Sequence, residues 1–162
     1  APSVNDGNLV GNTNAEKAYN FFLSKEGGSF TPAQAAGIVG NLMAESGKDI
    51  NPTIVSGFKN EGSFGIAQWN PSKAAGFRLQ ELKRFCKDSN LNFRTLYAQL
   101  KFIIYELGKY PYLGLGKLRK AQTPEEAAEI FEKRYERPAP GSTQKRINFA
   151  LEINNKLGIG AA

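Results

Sequence analysis

The chain has 162 residues, 41% of them hydrophobic and 22% charged, which is enough for one well-formed core and predicts a single globular domain. The chain has no histidine, which excludes Ser–His–Asp and Cys–His hydrolases and His-based zinc sites. Its single cysteine, Cys86, cannot form an internal disulfide. Any hydrolytic chemistry must therefore depend on carboxylates, Lys, Tyr, Ser or Thr. The net charge of +6 favours polyanionic partners, and no apolar run approaches the roughly 20 residues that a membrane span requires.

The two ends of the chain differ in composition from its middle. Residues 1–13 are small and polar and are typical of a linker, and residues 158–162 have the same character. We therefore expect one domain over residues 14–157, cut from a longer polypeptide. Simple fraying of both termini would leave the same composition.

The first two predicted helices come in quick succession. One covers about 14–25 and ends at a glycine pair. The next begins with Thr31, Pro32 and Gln34, which together form a capping-box signal, and it runs to about Ser46, with Gly47 as its C-cap.

Helical periodicity then disappears from 48 to 70, where Gly, Asn, Ser and Pro are frequent. This segment is typical of a loop or a small, irregular β-hairpin. Structureless segments of this length are uncommon in compact domains and are often functional. Periodicity returns in further helices at about 72–88, 93–107, 123–135 and 143–157, so the predicted fold class is mainly α.

Glu45 lies at the end of the capped helix, immediately before the irregular segment. The C-terminal end of a helix carries negative partial charge, and apolar neighbours would shield the side chain, so both effects favour the protonated carboxyl. Such a group can protonate the leaving oxygen of a glycosidic bond. By position alone, Glu45 is equally compatible with an ordinary solvated residue that ends a helix.

Two strings in this region carry a family resemblance: GIVGNLMAESGKDINPTIV (37–55) and GSFGIAQW (62–69). With the Tyr-Glu-Leu at 105–107 and the Tyr-Glu-Arg-Pro at 135–138, the sequence resembles the phage tail lysozyme family, which is related to goose-type lysozymes and soluble lytic transglycosylases. The resemblance covers roughly residues 15–155. It implies a lysozyme-like helical domain, with a small β-hairpin beside the catalytic helix, that cleaves peptidoglycan without a metal or cofactor.

The resemblance also implies roles for particular residues. Glu45 matches the catalytic acid, and Gly62, Gly65 and Gln68 match the motif that lines the substrate groove, where the Ser63 hydroxyl would contact substrate or have no role. Trp69 would either stack on a sugar or pack the hairpin against the core. Tyr135 would hold the Glu45 carboxyl or the sugar, or else pair with a core aromatic residue one turn earlier.

The sequence does not identify which residue supplies the second catalytic carboxylate. Asp49, Glu61 and Glu136 are the candidates, and no motif distinguishes them. Glu136 could instead form an ion pair with Arg137. A hydrolase needs such a second group, whereas a lytic transglycosylase uses one Glu and the 6-hydroxyl of its own substrate to form a 1,6-anhydro ring.

Three functions therefore compete. The first is a muramidase that cleaves the MurNAc–GlcNAc bond, with a lytic transglycosylase as its variant. The second is a non-catalytic wall-binding module of a phage particle. The third, a nucleic-acid binder, is disfavoured because Lys and Arg are dispersed without interleaved aromatic residues. The resemblance implies bacterial peptidoglycan as the partner. The linker-like ends lead us to expect attachment to other domains or subunits of a phage virion or endolysin. The resemblance places the protein in a phage tail or among released lysis enzymes that act on the host wall.

Overall fold

The computed structural model describes residues 9–57 and 61–158. In these ranges the chain forms seven α-helices: α1 (Asn14–Leu23), α2 (Pro32–Ser46), α3 (Arg78–Asp88), α4 (Leu96–Lys109), α5 (Leu115–Leu118), α6 (Pro124–Ile130) and α7 (Thr143–Leu157). Short 3-10 helices at Lys73–Ala75 and Pro111–Leu113 and a π-helix at Phe131–Glu136 complete the element order. The predicted mainly α class is confirmed. None of these helices combines the length and apolar character needed to cross a membrane.

The predicted β-hairpin is wrong for the described part of the irregular segment, which contains no strand. Only two isolated antiparallel bridges occur there, between Val55 and Phe64 and between Phe64 and Trp69. The chain reverses within a few residues, because Gly65 and Gln68 both adopt positive φ, at 86° and 54°. Phe64 and Trp69 exchange backbone hydrogen bonds of 3.0 and 2.9 Å across this turn, and the bridge between them remains isolated.

Helix α2 is the centre of the fold. Its N-terminus carries the expected capping box, in which the Thr31 side chain accepts from the backbone of Gln34 while the Gln34 side chain accepts from the backbone of Thr31. Most of its residues are buried on all sides, since α7, α6 and α1 pack around it. Its C-cap is Gly47, as the sequence predicts, and Glu45 lies in its last turn.

Two glycines allow α6 and α7 to approach α2 closely. A Cβ atom on Gly37 would lie 2.4 Å from the Cβ of Ala127 in α6. A Cβ atom on Gly40 would lie 2.6 Å from the backbone nitrogen of Ala150 in α7. No real Cβ makes such contacts, so the absence of a side chain at both positions sets the spacing of the three helices.

The helix predicted to end near Tyr135 changes its hydrogen-bond pattern after Ile130 and continues as the π-helix. Its last turn closes with a 2.7 Å bond from the Arg137 nitrogen to the Glu132 carbonyl oxygen, and Arg137 ends it at φ 51°. π-Helical turns are rare and occur frequently at functional sites. This one brings Glu132 against α7 and Glu136 into the cleft beside the end of α2.

Much of the predicted linker and tail, residues 1–8 and 159–162, lies outside the described residues. In the described part of the N-terminal segment, Leu9 packs against the core and Thr13 caps α1. The division into linker, domain and tail stays a prediction.

Candidate active site

A cleft of about 720 Å³ opens beside the C-terminal end of α2. Elements that are distant in sequence form its walls: α2, the irregular segment, the start of α3 and the end of the π-helix. Its polar lining includes three carboxyl groups, two arginines and several uncharged polar side chains: Glu45, Glu61, Glu136, Arg78, Arg137, Ser56, Ser63, Gln68, Asn70 and Ser72.

The Glu45 side chain is 16% exposed, so it is shielded from water yet accessible from the cleft. Its Oε2 accepts a 2.7 Å hydrogen bond from Nη2 of Arg146 on α7. Burial raises the pKa of Glu45 above its ordinary value, and the positive charge of Arg146 opposes that rise without cancelling it. The proton on this carboxyl is therefore held more firmly than on a solvated Glu.

Arg146 was not predicted from the sequence. It is buried, and it lies 101 residues from Glu45 along the chain. Its other nitrogen atoms donate to Oδ1 of Asn41 and Oγ of Ser142, both at 2.9 Å, and its Nε lies 3.8 Å from Oε2 of Glu132. One basic residue among the 21 of the chain carries no local signal that could have identified it.

Glu136 lies in the same cleft as Glu45. Its Oε2 is buried and has no hydrogen-bond partner among the described residues, and no ion pair joins Glu136 to Arg137. Burial raises the pKa of Glu136 well above its ordinary value, and the nearby negative charge of Glu45 raises it further. The two carboxyl groups therefore form an interacting pair that resists losing both protons.

The other two candidate carboxylates have different surroundings. Glu61 lines the cleft but is exposed. Asp49 is exposed and lies in a separate depression formed with α1 and α7. Of the three, Glu136 is the one that lines the cleft and has a buried carboxyl oxygen.

Ser63 and Gln68 both line the cleft, where the sequence predicted them. The Ser63 hydroxyl accepts a 3.1 Å hydrogen bond from the side chain of Asn70. The Gln68 amide donates to the carbonyl oxygen of Gly65 at 3.0 Å, which holds its side chain across the turn. Beneath the turn, Oε1 of Gln99 accepts from the backbone nitrogen of Ile66 at 2.9 Å and so anchors this wall to α4.

The predicted contact of Trp69 and Tyr135 with a sugar is corrected by their burial, since Trp69 is 1% exposed and Tyr135 is fully buried. The Trp69 indole donates to Oε1 of Glu106 at 3.0 Å and to the Tyr135 hydroxyl at 3.1 Å, and that hydroxyl donates to Oε1 of Glu106 at 2.5 Å. Arg78 binds Glu106 through two nitrogen atoms, and Phe131 stacks on Tyr135 at 4.4 Å. Because the polar atoms of the indole and the phenol bind Glu106, both rings lie in the core and neither lines the cleft.

The sequence profile of phage tail lysozymes matches residues 13–157, nearly the whole chain. The chain belongs to the phage tail lysozyme family. The matched range includes the cleft and all the carboxyl groups that line it. The family implies a lysozyme-like glycosidase whose substrate is peptidoglycan and whose setting is phage-associated or lytic.

Proposed function

We propose that this chain is a muramidase that hydrolyses the bond between MurNAc and GlcNAc, with Glu45 as the general acid. The observation that carries the proposal is the placement of a partly shielded carboxyl with a raised pKa on the wall of a cleft, in a member of a peptidoglycan-lysing family. A cleft of about 720 Å³ has the size of a ligand-binding site.

In the proposed reaction Glu45 gives its proton to the glycosidic oxygen while the bond from that oxygen to C1 of MurNAc breaks. The bonding electron pair goes to the leaving GlcNAc oxygen, which becomes a hydroxyl. A water oxygen bonds to C1, and Glu136 takes the proton that this water loses. The two carboxyl groups therefore start the reaction with one proton, on Glu45, which leaves with the GlcNAc hydroxyl, and end it with one proton, taken from water, on Glu136.

The protonation behaviour of the pair supports a shared proton, and because the pKa of Glu136 is raised more strongly than that of Glu45, the proposed reaction requires that proton to lie on Glu45 once substrate is bound. Both pKa values are raised by burial, and that of Glu136 also by the charge of Glu45. Mutual repulsion keeps one proton on the pair over a wide pH range, which is the state that an acid beside a base requires. Because Glu61 is exposed and Asp49 lies outside the cleft, we assign the second role to Glu136.

A lytic transglycosylase is the alternative outcome, because it would need only Glu45. There the same carboxylate would accept the proton of the MurNAc 6-hydroxyl, which closes the 1,6-anhydro ring. A second buried carboxyl in the cleft favours hydrolysis, since the anhydro route gives Glu136 no task.

The test is digestion of purified peptidoglycan followed by mass spectrometry of the released fragments. Hydrolysis adds one water to each cleaved bond, whereas the transglycosylase leaves fragments lighter by one water with 1,6-anhydro ends. Glu45→Gln should lower the rate by roughly 10²- to 10⁴-fold, because general acid catalysis contributes about that much. Asp49→Asn is the matched control, since it removes one negative charge beyond the same helix end but outside the cleft.

The outcomes separate the competing functions. Wall binding without bond cleavage by the wild-type chain would indicate the non-catalytic binding module. Normal cleavage by Glu45→Gln would eliminate Glu45 as the acid. Loss of activity in Glu136→Gln supports hydrolysis, and full activity in that variant with anhydro products would establish the transglycosylase.

A further inference from the structure

Arg146 is held between two helices and two carboxyl groups, and each of its side-chain nitrogen atoms has a partner. Nη2 donates to Glu45 at 2.7 Å, Nη1 to Asn41 at 2.9 Å and Nε to Ser142 at 2.9 Å. The side chain is 4% exposed. A guanidinium with a partner at every nitrogen atom has little freedom to move.

The partner on α2 is itself fixed. The amide nitrogen of Asn41 donates to the carbonyl oxygens of Gly37 and Ala128, both at 2.9 Å, so its Oδ1 presents one defined position to Arg146. These bonds tie α2, α6 and α7 together directly behind the catalytic helix end. The guanidinium is thus located by the scaffold, independently of Glu45.

Arg146 occupies only one oxygen of the Glu45 carboxyl. Oε2 accepts its hydrogen bond, and Oε1 has no hydrogen bond with any of the described residues. Because Glu45 lines the cleft, Oε1 is the oxygen available to a bound substrate. A carboxyl anchored by one oxygen has a defined direction for the proton on the other.

We propose that Arg146 is a positioning residue of the site: it anchors Oε2 of Glu45 so that Oε1 carries the proton to the glycosidic oxygen, and it stabilises the carboxylate that remains. This inference rests on the proposed role of Glu45 as the acid. A hydrogen bond from a cation strengthens as its acceptor becomes ionised, so Arg146 binds the site more strongly after proton transfer than before. The interaction therefore lowers the barrier as well as fixing the geometry.

Several charged groups share this environment. Glu132 and Glu136 lie on the π-helix and face Arg146 and Glu45. Arg78 on α3 and Lys145 on α7 face the same group of side chains. Arg146 lowers the pKa of both Glu45 and Glu136, against the rise that burial causes. Its removal must therefore move both pKa values upward.

The experiment measures kcat and KM for soluble, uncross-linked glycan strands across the pH range, for Arg146→Met and for Arg84→Met. Arg84 is exposed on α3, outside the cleft lining, so its variant controls for the loss of one positive charge. We expect Arg146→Met to lower kcat roughly 10- to 100-fold with little change in KM, since one hydrogen bond to a charged group is lost. Both limbs of its pH–activity profile should move to higher pH, whereas Arg84→Met should match the wild type.

A purely structural role would reduce the melting temperature and the active fraction without moving either limb. An unchanged pH profile in Arg146→Met therefore overturns the proposal, as does an unchanged kcat. If Arg146→Met does not fold, Arg146→Lys serves instead, because it keeps the charge but a single ammonium group cannot reach Glu45, Asn41 and Ser142 together. It should keep both limbs in place and lower kcat about tenfold. Wild-type kcat in Arg146→Lys contradicts the positioning role.

The failure of this inference is distinguishable from the failure of the proposed function. Full activity of Glu45→Gln would refute both the assignment of Glu45 as the acid and the muramidase mechanism that depends on it. An inactive Glu45→Gln beside a fully active Arg146→Met would leave that assignment in place and exclude only the role of Arg146.

Discussion

Substitution of Gly40 by Ala tests how strictly the spacing of α2 and α7 is set. An added Cβ would lie 2.6 Å from the nitrogen of Ala150, 2.8 Å from the carbonyl oxygen of Arg146 and 2.9 Å from the Cα of Ala150. All three are backbone atoms, so no side-chain rotation can relieve the overlap. The two helices must separate.

The magnitude follows from two opposing terms. Overpacking a well-packed core costs about 1–3 kcal/mol, and contacts with backbone atoms place this position at the upper end. Ala is better than Gly inside a helix by about 1 kcal/mol. The net loss of unfolding free energy should be about 2 kcal/mol, which lowers the melting temperature by roughly 4–8 °C for a chain of this size.

The assay is thermal and urea unfolding followed by circular dichroism, with Gly108→Ala as the matched control. Gly108 also lies in a helix, but a Cβ there meets nothing within 4 Å, so Ala should be neutral or slightly stabilising. Because α2 carries Glu45 and α7 carries Arg146, kcat of folded Gly40→Ala should fall as well. A variant as stable as Gly108→Ala would refute the close approach of the two helices.

Two further predictions concern Trp69, which is buried in the core, and Glu136, which lines the cleft. Trp69→Phe removes the indole N–H that donates to Glu106 and Tyr135, so the free energy of unfolding should fall by about 1–3 kcal/mol. The KM for glycan strands should stay unchanged. A large rise in KM would show that the ring contacts substrate. Glu136→Gln should become more stable relative to the wild type as pH rises from 4 to 8. Because the pKa of Glu136 is higher in the folded state than in the unfolded state, the protonated carboxyl contributes its full stability below the unfolded-state pKa. That contribution is lost as pH rises through the folded-state pKa. Gln does not ionise, so the variant loses nothing over the same pH range. Melting curves at both pH values measure the difference, and an equal shift at pH 4 and 8 would contradict the burial of this carboxyl.

The sequence by itself determined the ends of α2 and the position of the candidate acid, whereas the helix predicted from about residue 72 begins at Arg78 and α5 was not predicted. The capping box at Thr31 and the glycine at 47 set the ends of α2, and they place Glu45 in its last turn. Such signals are readable because caps and periodicity act between residues three or four apart. The family pattern likewise identified the turn that carries Ser63 and Gln68, although its β-hairpin form was wrong.

Only the tertiary structure decided which groups surround that acid. Arg146 reaches Glu45 across 101 residues, because glycines let α7 approach α2, and nothing in the local sequence of α7 marks this residue. The same packing brings Glu136 into the cleft, leaves Asp49 outside it and buries Trp69 beneath it. Burial and charge pairing depend on which surfaces meet, and contacts between distant segments leave no periodic trace in the chain.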